Sequence, residues 1–86
     1  MFFVYVLVSN SKGLRFYVGM SEDIENRLEE HNSGKTKSTK SYTPWEIFFY
    51  EKFSTRTEAR EREKFLKAGS GKEKIKKMWS KKINTK

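Results

Sequence analysis

Seven consecutive residues near the start of the chain, "FFVYVLV" (2–8), carry no charge and are apolar or aromatic throughout. A strand with one wet face alternates apolar and polar residues. A run apolar on both faces must therefore be covered on both sides. A second run, "WEIFFYEKF" (45–53), repeats the pattern in weaker form. The chain has to place a sheet in its middle, with the first run as the central strand and a layer on each face.

The segments between and after these runs supply the layers. "SNSKG" (9–13) is turn chemistry and "LRFYVG" (14–19) is a further strand, which predicts an antiparallel hairpin. Ser21 is the expected helix cap, with Glu22 and Asp23 in the first turn, Ile24 and Leu28 as a narrow apolar edge, and Asn32-Ser33-Gly34 as the stop. Residues 33–44, "SGKTKSTKSYTP", form a basic, hydroxyl-rich loop closed by the only proline. After the last strand, Thr55 with Glu58 reads as a capping box for a helix that stops near Gly69. Ser70 with Glu73 reads as another, for a helix that sets Ile75, Met78, Trp79 and Ile83 on one side. The order β-β-α-β-α-α predicts an α+β fold, a three-stranded antiparallel sheet flanked by helices, in one domain over residues 1–86.

Composition narrows the function. The absence of cysteine removes a thiol nucleophile, a disulfide framework and a thiolate metal site. A single histidine cannot build the usual zinc site. No stretch approaches the roughly 20 apolar residues of a membrane span, and the opening residues lack a basic leader, so a cytoplasmic protein without a membrane partner is expected. A net charge of +8 on 86 residues points to a polyanionic partner.

Several residues stand where chemistry is possible. Tyr5 is in the first strand on the side of Phe3 and Leu7, and Tyr17 ends the second strand just before Gly19. Hairpin pairing brings the two strands' side chains together on one face. Arg27 and His31 are four apart and share a helical face, with Glu30 a ready partner for Arg27. Glu63 sits between Ala59 and Leu66 at the border of an apolar stripe, where a carboxylate needs a cation: Arg60, Arg62, Lys64 or a metal ion. Each of these also has an ordinary reading, as packed phenols, solvated charges and a surface ion pair.

Taken together and in order, these positions resemble the GIY-YIG nuclease superfamily. The motif halves are "VYV" (4–6) and "YVG" (17–19), followed by "YVGMSEDIENR", "RLEEHNSGKTKST" and "TPWEIFFYEKFSTRTEAREREKFLK". The chain is most similar to small standalone members, which resemble the nuclease module of the bacterial excision-repair incision protein. The resemblance implies a phosphodiester-cleaving enzyme with a divalent ion, Mg²⁺ or Mn²⁺, held by Glu63. It implies Tyr5 as the first-motif tyrosine and general base, Tyr17 as the second, Arg27 as the residue that steadies the phosphate, and His31 as a polar neighbour of the site.

The expected function is a metal-dependent endonuclease acting on DNA more than RNA, in repair or processing of structured DNA. Lys35, Lys37 and Lys40 would hold the backbone, and a monomer is favoured. Two alternatives stay open: a non-catalytic nucleic-acid-binding module of the same fold, and a protein adaptor using the Trp79 helix.

Overall fold

The structure, a computed structural model, describes residues 1–84, with side chains through residue 82. Strand β1 (Phe2–Ser9) lies between β2 (Arg15–Ser21) and β3 (Glu46–Phe53) in one antiparallel sheet of order β2-β1-β3. Helix α1 (Ile24–Asn32) follows β2, and helices α2 (Arg56–Lys67) and α3 (Gly69–Asn84) follow β3. This is the expected fold, with the doubly apolar run in the centre.

The period-two alternation of β1 sorts its side chains to two cores. Val4 and Val6 pack with Val18 under Ala59 and Leu66 of α2 and Ile75 of α3. Tyr5 and Leu7 face the other way, against Trp45, Tyr17, and Ile24 and Leu28 of α1. The register slips between Val6 and Leu7, whose β3 partners are Phe49 and Ile47. That bulge lets the consecutive rings of Phe48 and Phe49 both join the α2/α3 side.

Two local expectations change. β2 runs on to Ser21, which pairs with Phe3, so Ser21 is a strand residue and cannot cap α1. Asp23 takes that place, its carboxylate accepting from the Asn26 N–H at 3.1 Å. Ser70 does not cap α3 either, because the helix already includes Gly69, and the Lys72 N–H bonds back to the Ala68 carbonyl at 2.9 Å. The reason is the tightness of the corner: Gly71 lies directly on the Phe65 carbonyl and Leu66, where a Cβ would collide with main chain. Thr55 caps α2 as expected, accepting from the Glu58 N–H at 3.2 Å. Along α3, Ile75 is buried and Trp79 sets its ring against Phe16 and Phe48, while Ile83 lies outside the described side chains. Trp79, half-buried, thus has ring partners within the molecule.

The basic loop is clamped. Asn32 donates to the Trp45 carbonyl at 3.0 Å and accepts from its N–H at 2.6 Å. The Trp45 indole donates to the Thr39 carbonyl at 2.9 Å, and the Ser9 hydroxyl donates to the Tyr42 carbonyl. Among the described residues, no helix is long and apolar enough to cross a membrane.

Candidate active site

The centre of the α1 side is polar and buried. Tyr5 is 1% exposed and His31 is 0% exposed, the one fully buried residue of α1. Tyr5 pairs with Gly19 across the hairpin, and a Cβ at Gly19 would strike the Tyr5 ring and hydroxyl. Glycine at that position is what lets the phenol lie across β2. Leu7 pairs with Tyr17, so the two tyrosines are diagonal neighbours, with ring centroids 6.5 Å apart.

One chain of hydrogen bonds orders these groups. The Tyr5 hydroxyl is 3.0 Å from His31 Nε2, and His31 Nδ1 is 2.8 Å from the Thr39 hydroxyl. The Thr39 hydroxyl donates its proton to the Thr36 carbonyl at 3.3 Å. Its oxygen therefore accepts from Nδ1–H, which leaves the Nε2 lone pair to accept from Tyr5. The Arg27 guanidinium, which bonds Glu30, is also close enough to act on the Tyr5 phenol. The hydrogen-bond network thus assigns a direction from Tyr5 through His31 and Thr39 to the Thr36 carbonyl. Among the described residues, no buried side-chain nitrogen or oxygen lacks a partner.

Electrostatics follow from burial. Desolvation pushes the Tyr5 phenol up to about 12; the Arg27 hydrogen bond and charge oppose the rise, while the charges of Tyr17 and Glu63 add to it. Desolvation, then the Arg27 charge, holds the His31 imidazole below its ordinary value, so it is neutral at pH 7. Arg27 bonds Glu30 at 2.7 Å, which raises the guanidinium and lowers the carboxylate.

The expected residues divide into three groups. Tyr5, Tyr17, Arg27 and His31 come together, with the Tyr17 ring 4.8 Å from that of His31 and Tyr17 itself half-buried. Glu63 comes from α2, on the sheet's other side, yet its charge is felt at Tyr5. Its side chain is 16% exposed and meets Lys67 at 3.1 Å, one turn on. Arg62, an expected partner, instead grips Glu51 of β3 with two bonds of 2.8 and 3.1 Å. Lys35, Lys37 and Lys40 are exposed on the clamped loop and stand apart from the buried network. The residues absent from the expectation are Gly19, Asn32 and Thr39. A glycine inside a strand pattern signals a close approach and points to Gly19. Thr39 is one of several loop hydroxyls, with nothing in the sequence to single it out.

The family model of the GIY-YIG catalytic domain matches residues 1–83. The chain belongs to the GIY-YIG family. It is 36% identical to the UPF0213 protein SSP2268 of Staphylococcus saprophyticus over 84% of this chain and 89% of that protein. It is 40% identical to the UPF0213 protein lwe0147 of Listeria welshimeri, over 84% of this chain and 79% of the relative. YazA of Bacillus subtilis, also a UPF0213 protein, is 39% identical over 76% of this chain and 65% of its own length. No solved structure gives a significant match. GIY-YIG membership makes this a chain of a nuclease family, and nucleic acid the substrate that family membership implies.

Proposed function

We propose that this chain is a metal-dependent endonuclease that hydrolyses phosphodiester bonds in DNA, with Tyr5, Tyr17, Arg27, His31 and Glu63 as its working residues. The observation that carries the reading is the buried, hydrogen-bonded phenol–imidazole pair of Tyr5 and His31, on which the charges of Arg27 and of Glu63 from a different layer act. Binding alone requires none of this. A buried polar chain is costly to assemble, and a module that only holds DNA does so with surface cations.

The two phenols differ in access, which suggests a division of work. Tyr17 is half-buried at the rim and is the one that meets substrate. Tyr5 is enclosed; it holds Arg27 and His31 in place and keeps its proton on the side of Nε2. A phenol acts as a base at neutral pH only when a cation favours its phenolate. Arg27 is the cation that acts on Tyr5, and in this reading its guanidinium also meets the negative charge that grows on the phosphate.

Among the described residues, no three His, Cys, Asp or Glu side chains converge. In this reading Glu63 is the carboxylate that holds the ion, and water and phosphate fill the rest of the shell. That donor set suits Mg²⁺, which keeps much of its hydration, and Mn²⁺. When bound, the ion supplies a Lewis acid for the phosphoryl oxygens.

The burial of Tyr5, with its pKa pushed up to about 12, favours a second reading: a DNA-binding module in which the phenol only packs. Labelled duplex, nicked, flap and single-stranded substrates, with Mg²⁺, Mn²⁺ or EDTA, separate the two. Metal-dependent cleavage that disappears in Glu63→Gln, with fold and DNA binding intact, is expected. Salt-sensitive binding without cleavage under any of these conditions selects the module.

A further inference from the structure

A cavity of about 370 Å³ opens where β2 meets the end of α2 and the first turns of α3. Five consecutive residues of the hairpin, from Leu14 to Val18, line one wall. β2 is an edge strand, so the outward N–H and C=O groups of this wall have no strand partner among the described residues. Phe16, Leu66 and Ile75 give an apolar floor, and Lys67, Lys72 and Lys76 a cationic rim. No acidic residue is among the described residues that line it. Leu14, a large apolar side chain left 46% exposed, belongs to the same wall.

We infer that this cavity takes one unpaired nucleobase of the strand being cut, while Lys67, Lys72 and Lys76 hold the phosphates on either side of it. The inference rests on the nuclease reading above and names its substrate class: nucleic acid with an unpaired nucleotide beside the scissile bond. The ligand must combine two characters. The lining carries four cations, Arg15, Lys67, Lys72 and Lys76, and of the three rim lysines only Lys67 meets a carboxylate, that of Glu63. This excess calls for an anion, and a lone phosphate gains nothing from Leu14 and Phe16. A nucleotide has both, a flat apolar face and flanking negative charge. Its base edge also carries donors and acceptors that an open strand edge can match.

Pairing state follows from shape. A base within a duplex is stacked on two neighbours and bonded to a third, so it cannot enter a pocket without leaving the helix. Position follows from connectivity. The Tyr17 ring packs on His31 on the α1 side, while its position on the edge strand β2 also borders the cavity, and Lys67 on the rim is the residue bonded to Glu63. The cavity and the candidate active site thus meet at the β2 edge, which puts a strand with one base in the cavity beside that site.

The test measures binding in EDTA, so that cleavage plays no part. The probes are a labelled single-stranded oligodeoxynucleotide, the same strand with abasic nucleotides at alternate positions, and the corresponding duplex. The protein is expected to hold the intact single strand about tenfold more tightly than the abasic strand, in keeping with the worth of stacking per base, and to prefer it to the duplex. Lys72→Gln with Lys76→Gln is expected to weaken single-strand binding about tenfold. Lys74→Gln with Lys77→Gln removes the same charge from a different side of α3, where those lysines line a separate groove with Ser70 and Met78, and is expected to cost less than about threefold. Leu14→Glu, a change at an exposed position, is expected to erase the preference for intact bases without altering thermal stability. Equal affinity for intact and abasic strands overturns the inference. So do equal losses in the two lysine pairs, or displacement of the oligonucleotide by a polyglutamate peptide of the same charge. A protein that shows the expected binding yet never cleaves supports the cavity's ligand and counts against the nuclease reading, so the two failures are told apart.

Discussion

The two faces of β1 are built from alternate residues of one strand and solve different problems. Val4 and Val6 enter a core of aliphatic and aromatic side chains under α2 and α3. Tyr5, one residue between them, enters a pocket that buries an imidazole and a threonine hydroxyl as well. The first face gains from burying apolar area, and a close-packed interior tolerates little change in volume there. The second gains far less, since each buried polar atom must first recover the hydrogen bond it loses to water. A small domain that keeps such a network beside a plain core has divided stability from chemistry by face. Glu63 is the crossing point, a residue of the α2 layer whose charge reaches Tyr5.

That division is most sharply tested on the polar face. Tyr17→Phe is expected to slow the chemical step by about 10²–10⁴-fold, the range for loss of a positioned proton acceptor. Arg27→Ala is expected to lower the rate at saturating DNA by about 10²–10³-fold, as for loss of a transition-state donor. Single-turnover rates and thermal melts of the two variants, taken together, decide the matter. Wild-type rates in Tyr17→Phe would make it a packing residue, and the contrast between faces would lose its meaning.

The opposite signature belongs to the apolar face. Leu66→Ala removes a fully buried side chain of α2 and is expected to destabilise the fold by about 2–5 kcal/mol. Cleavage per folded molecule at saturating DNA should hardly change, because Leu66 lies under the binding cavity and not in the network around Tyr5. Urea titration gives the first quantity, and activity normalised to the folded fraction gives the second. A Leu66→Ala protein as stable as wild type would mean that the α2 layer contributes little to the core.

The fold was legible because it depends on pattern. A run without polar positions needs two covering layers, and "FFVYVLV" is the central strand of the finished sheet. The misplaced caps at Ser21 and Ser70 share one cause. Cap preference is local, whereas the start of each helix is decided by tertiary geometry: continued strand pairing at Ser21 and the close corner at Gly71. At the candidate site, residue types and spacings drew attention to Tyr5, Tyr17, Arg27, His31 and Glu63. The sequence does not carry the depth of Tyr5 or the direction of its proton, because both depend on Thr39, Thr36 and Gly19 arriving from separate segments. For Glu63 it offered three cationic partners, and the actual one is Lys67, a turn further along.

His31 makes the polar face sensitive to pH. The unfolded chain's imidazole takes up its proton near its ordinary value of 6.5, while the buried native one resists until lower pH. Protonation therefore favours the unfolded state, and stability should fall as pH drops below about 6.5 toward the lowered native value. Glu30, held below the usual carboxylate range by Arg27, titrates further down and does not contribute in this window. His31→Gln should flatten the dependence, even if its stability is lower throughout. Melting temperatures between pH 5 and 8 measure both slopes, and an equal slope in the variant would assign the effect to another group.

The mildest effect is expected from the basic loop, which borders the polar face without joining its network. Lys35, Lys37 and Lys40 are exposed, while the main chain that carries them is fixed through Asn32, Trp45 and Thr39. Their charges are thus held in place without being spent on buried partners, an arrangement suited to a phosphate backbone. Replacing any one by glutamine should weaken DNA binding alike for all sequences and reduce the slope of log affinity against log salt by about one for each phosphate no longer neutralised. The rate at saturating DNA should stay that of wild type, because an interaction made equally before and during reaction changes affinity and not turnover. Arg27→Ala is the reference for this comparison, expected to show the reverse pattern of near-normal binding and slow turnover. If a loop lysine variant matched Arg27→Ala in turnover, the loop would belong to the site. The boundary drawn between buried network and exposed rim would then have to move outward to include it.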